Sequence, residues 1–445
     1  MRRPNALKFP LTLEGVACTG LAPGGAGVAH VELAGERRAL FVAGAAPGDR
    51  LTARVDADGR PLRGSLEALE EPGPLRRATP CAVAARCGGC DWMHLAPTAR
   101  PELYANLLHE AWPREVPMPE PTFHEAEVRL RTRTHARLAV EAHGGPAMVA
   151  FHGLRSAKLV PAEHCLALAP ALEAARLRFG EILRGSRGSG QLVLSLGRVA
   201  HGEARRAVAH LRFRGELRRD AFTRLEREVG ANGSLQGAAV VEEGSLRPAL
   251  VGDVAAEILG FDDAPLAMPL GGFQQASERG NQALARHVAG VARAFADKHR
   301  EAPKFPVVEL YAGAGNLSVA LAPHARGLVT VESADDATAL ARVNLSARGL
   351  DAKIVTGDAA AFAWEKGTRL LVLDPPREGA PSVAKRLAEV PVPYLVYVAC
   401  DPVALARDAA TLHRAGYVAA RLDQFELFPE TSHAETVAVF TRGRA

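Results

Sequence analysis

No apolar run in these 445 residues approaches the roughly 20 residues that a membrane-spanning helix needs. The opening Met1-Arg2-Arg3-Pro4 is charged, but Lys8, Pro10, Thr12 and Glu14 interrupt any apolar core that a signal peptide requires. A cytoplasmic address with no membrane association is therefore expected. Lysine is scarce, seven residues against forty-seven arginines. A compositional bias of the genome explains that, and so does a choice of guanidinium forks for phosphate contacts. A formal charge of only +4 does not separate the two. There is no internal repeat and no long low-complexity tract. With 48% hydrophobic residues, 42 Gly and 30 Pro, the chain is neither a disordered tail nor a collagen-like rod, and its length suits two to four domains. Cysteine is also sparse, at 18, 81, 87, 90, 165 and 400. Nothing suggests export, so a disulfide frame is not expected. Three of the six crowd into ten residues, which points to a metal or cluster site.

Residues 11–70 read as short strands broken by turns, among them Leu11-Thr12-Leu13, Val28-Ala29-His30-Val31, Ala39-Leu40-Phe41-Val42 and Leu51-Thr52-Ala53-Arg54-Val55. That spacing suits a small barrel of the oligonucleotide-binding kind. The break Pro72-Gly73-Pro74 ends it, giving a first domain over 1–72. A central α+β part, 73–265, holds the cysteine segment and a basic run. At period 2, Arg129, Arg131, Arg133, His135 and Arg137 share one strand face, either a solvated stripe or a phosphate-tracking one. From 266 to 445 strands alternate with helices: strands near 307–312, 327–332, 352–357, 369–374 and 394–400, helices near 333–348, 382–389 and 402–414. The expected fold class is α/β, a doubly wound parallel sheet preceded by the barrel and the central part.

The first strand of that sheet runs into Ala312-Gly313-Ala314-Gly315-Asn316, a turn that lets a ligand approach the backbone. Position 318 is Ser, so the third glycine of a dinucleotide fingerprint is missing. The next two strands end in Glu332 and in Gly357-Asp358. Two acidic strand ends after one glycine turn suit S-adenosylmethionine, which has no pyrophosphate to cradle. The fourth strand closes in Asp374-Pro375-Pro376-Arg377; amino-group methyltransferases place an aromatic where Arg377 stands. Cys400 ends the fifth strand at the same edge, before a helix whose N-terminus would favour a thiolate. Glu435 precedes a final apolar strand, Val437-Ala438-Val439-Phe440.

One chemistry uses a nucleophilic cysteine, a base and a methyl donor together. Carbon 5 of uracil is a poor nucleophile until a thiolate adds to carbon 6; after methyl transfer a base must remove the carbon-5 proton so that the thiolate can leave. Cys400 and Glu435 fill those roles. Cytosine would also need an acid at ring nitrogen 3, and cytosine-5 RNA enzymes commonly carry a second cysteine where this chain has Asp374-Pro375-Pro376.

With Ala399-Cys400-Asp401-Pro402, His433-Ala434-Glu435 and the cysteine segment in hand, the chain resembles the RNA uracil-C5 methyltransferase family over nearly its whole length. The resemblance implies a class I (Rossmann-like) methyltransferase domain, a TRAM-like barrel, an RNA substrate and no obligatory protein partner, so a monomer. It places cofactor contacts on Gln275, Tyr311, Glu332 and Asp374, with Gly313, Gly315 and Asn316 in the turn and Asp358 on the adenine side. Cys400 matches its nucleophile and Glu435 its base. The family often reads Phe-x-Gln-x-Asn before the first helix; this chain has Phe273, Gln275 and Ser277. The barrel-plus-cluster arrangement resembles the 23S ribosomal RNA enzymes, with transfer RNA the second choice.

Cys81, Cys87, Cys90 and Cys165 offer four thiolates, which suit an iron–sulfur cluster or zinc equally by spacing, and His94 allows a three-cysteine, one-histidine zinc site. The resemblance implies a [4Fe-4S] cluster on the four cysteines. Cys18 reads as core filler. Three rivals remain open at this stage: a methyltransferase acting on cytosine or DNA, an RNA-binding chaperone with a relic cofactor pocket, and a nicotinamide oxidoreductase.

Overall fold

A computed structural model describes residues 9–199, 204–298 and 305–443; the opening Met1-Arg2-Arg3-Pro4 lies outside the described residues. The chain forms two compact units. One gathers Met1–Ala111, His152–Ala162 and Glu430–His433; the other holds Trp112–Phe151, Glu163–Pro429 and Ala434–Ala445.

The first unit contains a closed five-stranded barrel: Leu11–Leu21, Gly27–Leu33, Glu36–Ala43, Arg50–Val55 and Leu62–Glu71. Alternation of buried Val16, Leu40, Val42, Leu51, Ala53 and Val55 with less buried neighbours is the period-2 signature that fills such an interior. Cys18 belongs to that core, and burial pushes its thiol up to about 11. Asp49, fully buried, takes the Arg76 guanidinium at 2.5 Å and ties the barrel to the chain that leaves it.

Two large sheets occupy the second unit. One runs in the order Ala249–Gly252, Leu235–Glu242, Ala207–Glu216, Arg187–Leu196, His135–His143, Met148–His152. The basic run does not share a strand face. The strand starts only at His135, and Arg131 sits at φ +59°, which breaks the alternation. The N–H groups of Arg131 and Arg133 instead bond Leu166 and Ala167 carbonyls.

The other sheet contains β1 (Phe305–Leu310), β2 (Ala325–Glu332), β3 (Lys353–Thr356), β4 (Leu370–Leu373), β5 (Tyr394–Ala399), β6 (Tyr417–Phe425) and β7 (Glu435–Arg442). Their spatial order is β3-β2-β1-β4-β5-β7-β6, and Thr122–His124 adds an edge strand beside β6. Strands β1 to β5 are parallel, and the central β4 and β5 read as apolar runs, Leu370-Leu371-Val372-Leu373 being buried throughout, as in a sheet covered on both faces. Those helices include α1 (Glu278–Lys298), α2 (Asn316–Leu321), α3 (Asp335–Ser346), α4 (Pro381–Glu389) and α5 (Pro402–Arg414). Ser277 caps α1, its Oγ accepting the Gly280 N–H at 3.2 Å, a role the shorter hydroxyl fills without an amide. No helix among the described residues is long and apolar enough to cross a membrane.

Candidate active site

The five parallel strands end at one edge. Across the sheet that edge carries Asp358 after β3, Glu332 closing β2, Tyr311 after β1, Asp374 after β4 and Cys400 after β5. Strand order reverses between β1 and β4, and ligands of open α/β sheets bind in the crevice such a reversal makes. Strand β7 is antiparallel and pairs Thr436 with Ala399. The next residue on each strand is Glu435 and Cys400, so the reversal delivers the carboxylate to the edge that carries the thiol.

The turn after β1 is built from left-handed positions: Tyr311 at φ +64°, Gly313 at +54° and Gly315 at +84°. A non-glycine residue in that region is strained and marks a position the surroundings hold in place. A Cβ on Gly315 would lie 3.2 Å from that of Ala341, so glycine here also lets α2 approach α3. The Gly313 N–H donates to one Glu332 oxygen at 3.0 Å, while the other accepts from the N–H groups of Ser333 and Ala334 at 2.7 and 2.9 Å. These bonds fix the carboxylate beside the turn.

Gln275 is 7% exposed and its Oε1 lacks a hydrogen-bond partner among the described residues. An orphaned buried acceptor is costly and fits a donor brought by a ligand. Burial raises the Tyr311 hydroxyl, and the charges of Asp358 and Asp408 act in the same direction. Asp358 itself is exposed and accepts the Ala360 N–H at 2.9 Å. Asn316, in the same turn, exchanges two amide bonds, 2.9 and 2.8 Å, with Asn281 of α1. Asn281 is fully buried and was not singled out from the sequence. An amide among the apolar positions of α1 was the signal available.

The reacting half is acidic. Although Asp374 keeps some exposure, the protein around its carboxyl desolvates it and pushes it up to about 7. Burial pushes Glu435 up to about 8, with the Asp374 charge adding and the Arg377 guanidinium opposing. Glu309 of β1 behaves alike: buried, bonded by the Ser318 hydroxyl at 2.5 Å, and pushed up to about 8 chiefly by burial.

Cys400 is partly buried, and its thiol is pushed up to about 12 by burial, then by Glu435, with Arg377 pulling it down and Asp374 and Asp401 raising it. This corrects the expectation of a thiolate favoured by the following helix. Asp401 caps α5, and its Oδ1 takes the N–H groups of Val403 and Ala404, each at 2.9 Å. The helix donors are occupied, and a carboxylate stands next to the sulfur.

In the first unit, Cys81, Cys87 and Cys90 are partly buried and lie on consecutive turns. The Gly89 N–H donates to Cys87 Sγ at 3.4 Å, and a Cβ on Gly88 would lie 3.1 Å from the His152 carbonyl oxygen. His94 directs Nε2 at the Ala45 carbonyl, 3.3 Å away, and burial drives its imidazole down to about 4. Cys165, in the second unit, is partly buried, with its N–H on Glu173 at 2.9 Å.

Asp423 is fully buried, with His124 at 2.8 Å, His287 at 3.2 Å and the Arg421 guanidinium at 2.6 Å. Arg421 bonds both carboxylate oxygens, so the charge is already balanced. The cluster pins Thr122–His124 and α1 to β6.

A parallel sheet with its reversal point, glycine turn and acidic strand ends defines a class I methyltransferase domain. No protein-family model matches the chain. The solved tRNA (uracil-54, C5)-methyltransferase of Pyrococcus abyssi, in complex with S-adenosyl-L-homocysteine, has a TM-score of 0.72 over 96% of this chain and 100% of that one; at 20% identity the likeness is one of fold. The 23S rRNA (uracil(1939)-C(5))-methyltransferase RlmD of Pseudomonas putida is 32% identical over 449 residues, 95% of this chain and 92% of the relative. That of Pseudomonas aeruginosa is 32% identical over 457 residues, 99% and 95%. The chain belongs to the family of S-adenosylmethionine-dependent RNA uracil-C5 methyltransferases.

Proposed function

We propose that this chain methylates carbon 5 of a uridine in 23S ribosomal RNA, as a cytoplasmic monomer, through a covalent adduct on Cys400. The carrying observation is the register that makes Cys400 and Glu435 the next residues after the Ala399–Thr436 pair. S-adenosylmethionine, when bound, supplies the methyl group. The residues that fit it are Gln275, with its orphaned oxygen, Glu332 beside the turn of Tyr311, Gly313 and Gly315, and Asp358 and Asp374 at the flanking strand ends. Asn316 supports that turn through Asn281.

Cys400 loses its proton to a neighbouring carboxylate as its sulfur bonds carbon 6, and the ring's electron pair moves out to make carbon 5 nucleophilic. Once carbon 5 carries the methyl group, Glu435 takes the carbon-5 proton. The released pair restores the ring double bond while the carbon–sulfur bond breaks and the thiolate departs. A carboxyl near 8 is a far better base than an ordinary one when ionised, which suits a carbon-bound proton. The high thiol value also keeps Cys400 protonated, hence unreactive, until a ring is beside it.

The division into a barrel over 1–72, a central part over 73–265 and a catalytic part over 266–445 belongs to this reading, the first two gripping RNA. So does a [4Fe-4S] cluster on Cys81, Cys87, Cys90 and Cys165. An all-thiolate donor set suits iron–sulfur chemistry, the Gly89 bond to Cys87 Sγ is of the kind that stabilises such a ligand, and His94 is committed to Ala45. Protein purified without oxygen is expected to be brown with four irons per chain; colourless protein with one zinc would overturn the cluster.

Incubation with uridine RNA and S-adenosylmethionine tests the mechanism on denaturing gels. Cys400→Ala should give no protein–RNA adduct, and Glu435→Gln should accumulate a methylated one. An adduct that survives loss of Cys400 sinks the proposal.

A further inference from the structure

The chain that leaves β4 is held from beneath. Pro376, Arg377, Glu378 and Gly379 form a tight turn, the Gly379 N–H donating to the Pro376 carbonyl at 2.8 Å. Gly379 stands at φ +74°, and a Cβ on it would lie 2.6 Å from Asp408 Oδ2 and 3.0 Å from the Tyr397 hydroxyl, so glycine lets the turn sit this low. The next N–H, that of Ala380, donates to the Tyr397 hydroxyl at 2.9 Å and to Asp408 Oδ2 at 2.8 Å. The hydroxyl in turn donates to Asp408 Oδ2 at 2.8 Å. Arg407 Nε donates to Asp408 Oδ1 at 3.0 Å, and its Nη2 to the Glu378 carbonyl at 2.6 Å. Tyr397 is 0% exposed and Asp408 1%. All these residues lie in the second compact unit.

An apolar side chain at 408 would pack α5 on the sheet without the cost of burying a carboxylate. What the carboxylate adds is a fixed turn. Leu373 of β4 pairs with Tyr397 of β5, so that turn rises beside the end of β5, which runs into Cys400. Its first central residue is Arg377. That guanidinium pulls the Cys400 thiol down against burial and the charges of Glu435, Asp374 and Asp401, and it also opposes the rise in Glu435. Where the cation stands therefore decides how readily the sulfur ionises.

We infer that Tyr397 and Asp408 are positioning residues for Arg377: by gripping Gly379 and Ala380 they hold the turn that keeps its guanidinium at the strand edge carrying Cys400. The inference rests on the proposed role of Cys400 and deepens it. It gives formation of the carbon–sulfur bond a buried support that acts through Arg377.

The test is the rate at which iodoacetamide alkylates Cys400 in the full-length protein at pH 7.5, read by mass spectrometry of its peptide. A loosened turn lets the guanidinium drift, and each unit the thiol gains costs tenfold in thiolate and returns about threefold in nucleophilicity. Asp408→Ala is therefore expected to label about threefold more slowly than the parent, and Tyr397→Phe more slowly by a smaller factor. The sign is diagnostic. A merely slackened core would expose the sulfur, and loss of a carboxylate would ease its ionisation, so both would speed the label. Asp408→Asn keeps an oxygen for the Ala380 N–H and should recover most of the rate. Arg377→Met should label as slowly as Asp408→Ala, and combining the two should add nothing further. If Asp408→Ala does not fold, Tyr397→Phe decides by the same readouts. Unchanged or faster labelling in a folded variant, or a combined variant slower than Arg377→Met alone, would overturn the inference. Cys400→Ala is run alongside with uridine RNA. An adduct there brings down the assignment of the nucleophile, whereas a Cys400-dependent adduct with parental labelling in the Asp408 and Tyr397 variants brings down only the support.

Discussion

Replacing Glu435 by Gln should change the reactivity of Cys400 towards an alkylating agent only where Glu435 would have been charged. The thiol stands at about 12 against an ordinary value near 9, so its thiolate fraction at neutral pH is roughly a thousandfold below that of a free cysteine. A more basic thiolate is intrinsically more nucleophilic, which with a Brønsted slope of ~0.5 returns about thirtyfold. The net expectation at pH 7.5 is labelling by iodoacetamide roughly thirtyfold slower than that of a small thiol, before any hindrance from burial. Glu435 ionises at about 8, so at pH 6.5 it is nearly neutral and Glu435→Gln should leave the rate unchanged. At pH 9 the carboxylate is charged, and removing it should speed labelling several-fold, since one unit in the thiol is tenfold in thiolate. Mass spectrometry of the peptide that contains Cys400 separates it from the other five cysteines. Labelling at the free-thiol rate at pH 7.5, or equal acceleration at pH 6.5 and 9, would refute the account.

Glu309→Gln should flatten part of the pH dependence of stability. The folded carboxyl sits near 8 and the unfolded one near 4.5, so the folded state holds the extra proton between them; this contribution is complete below about 4.5 and is lost as pH rises through about 8. Melting curves of parent and variant should therefore lie closer at pH 5 than at pH 9, with the variant favoured at pH 9, and parallel curves would contradict it. Asp401→Ala should cost about 1 kcal/mol of unfolding free energy through loss of the α5 cap, whereas Asp401→Asn keeps the cap and removes only the charge beside Cys400. Both should raise the labelling rate of Cys400, and a denaturant titration separates the two effects on stability.

Much of the catalytic half is legible in the chain because its logic is local. Strand ends at Glu332, Asp374 and Cys400 follow from apolar runs stopped by turn residues, and the Asp401-Pro402 pair announces a capped helix. The same pair misleads about charge. A cap that occupies the helix donors leaves none for the sulfur, and that competition is visible only once the bonds are placed. Pairings between distant segments are equally hidden: Thr122–His124 finds its place beside β6 through bonds to residues some three hundred positions later, and no periodicity encodes that partner. The basic run shows the reverse failure. Alternation between Arg129 and Arg137 imitates a strand, but Arg131 adopts a left-handed state and its N–H bonds a loop. Asn281 is hidden in the sequence because a buried amide looks like a surface residue until its partner, Asn316, is in place.

Strand β7 lies between β5 and β6 although both precede it along the chain. During synthesis Cys400 and the glycine turn are thus laid down before Glu435, and β5 gains its antiparallel neighbour only when the last strand is made. On the proposed mechanism, assembly order makes insertion of this last strand the step that brings the base to the thiol.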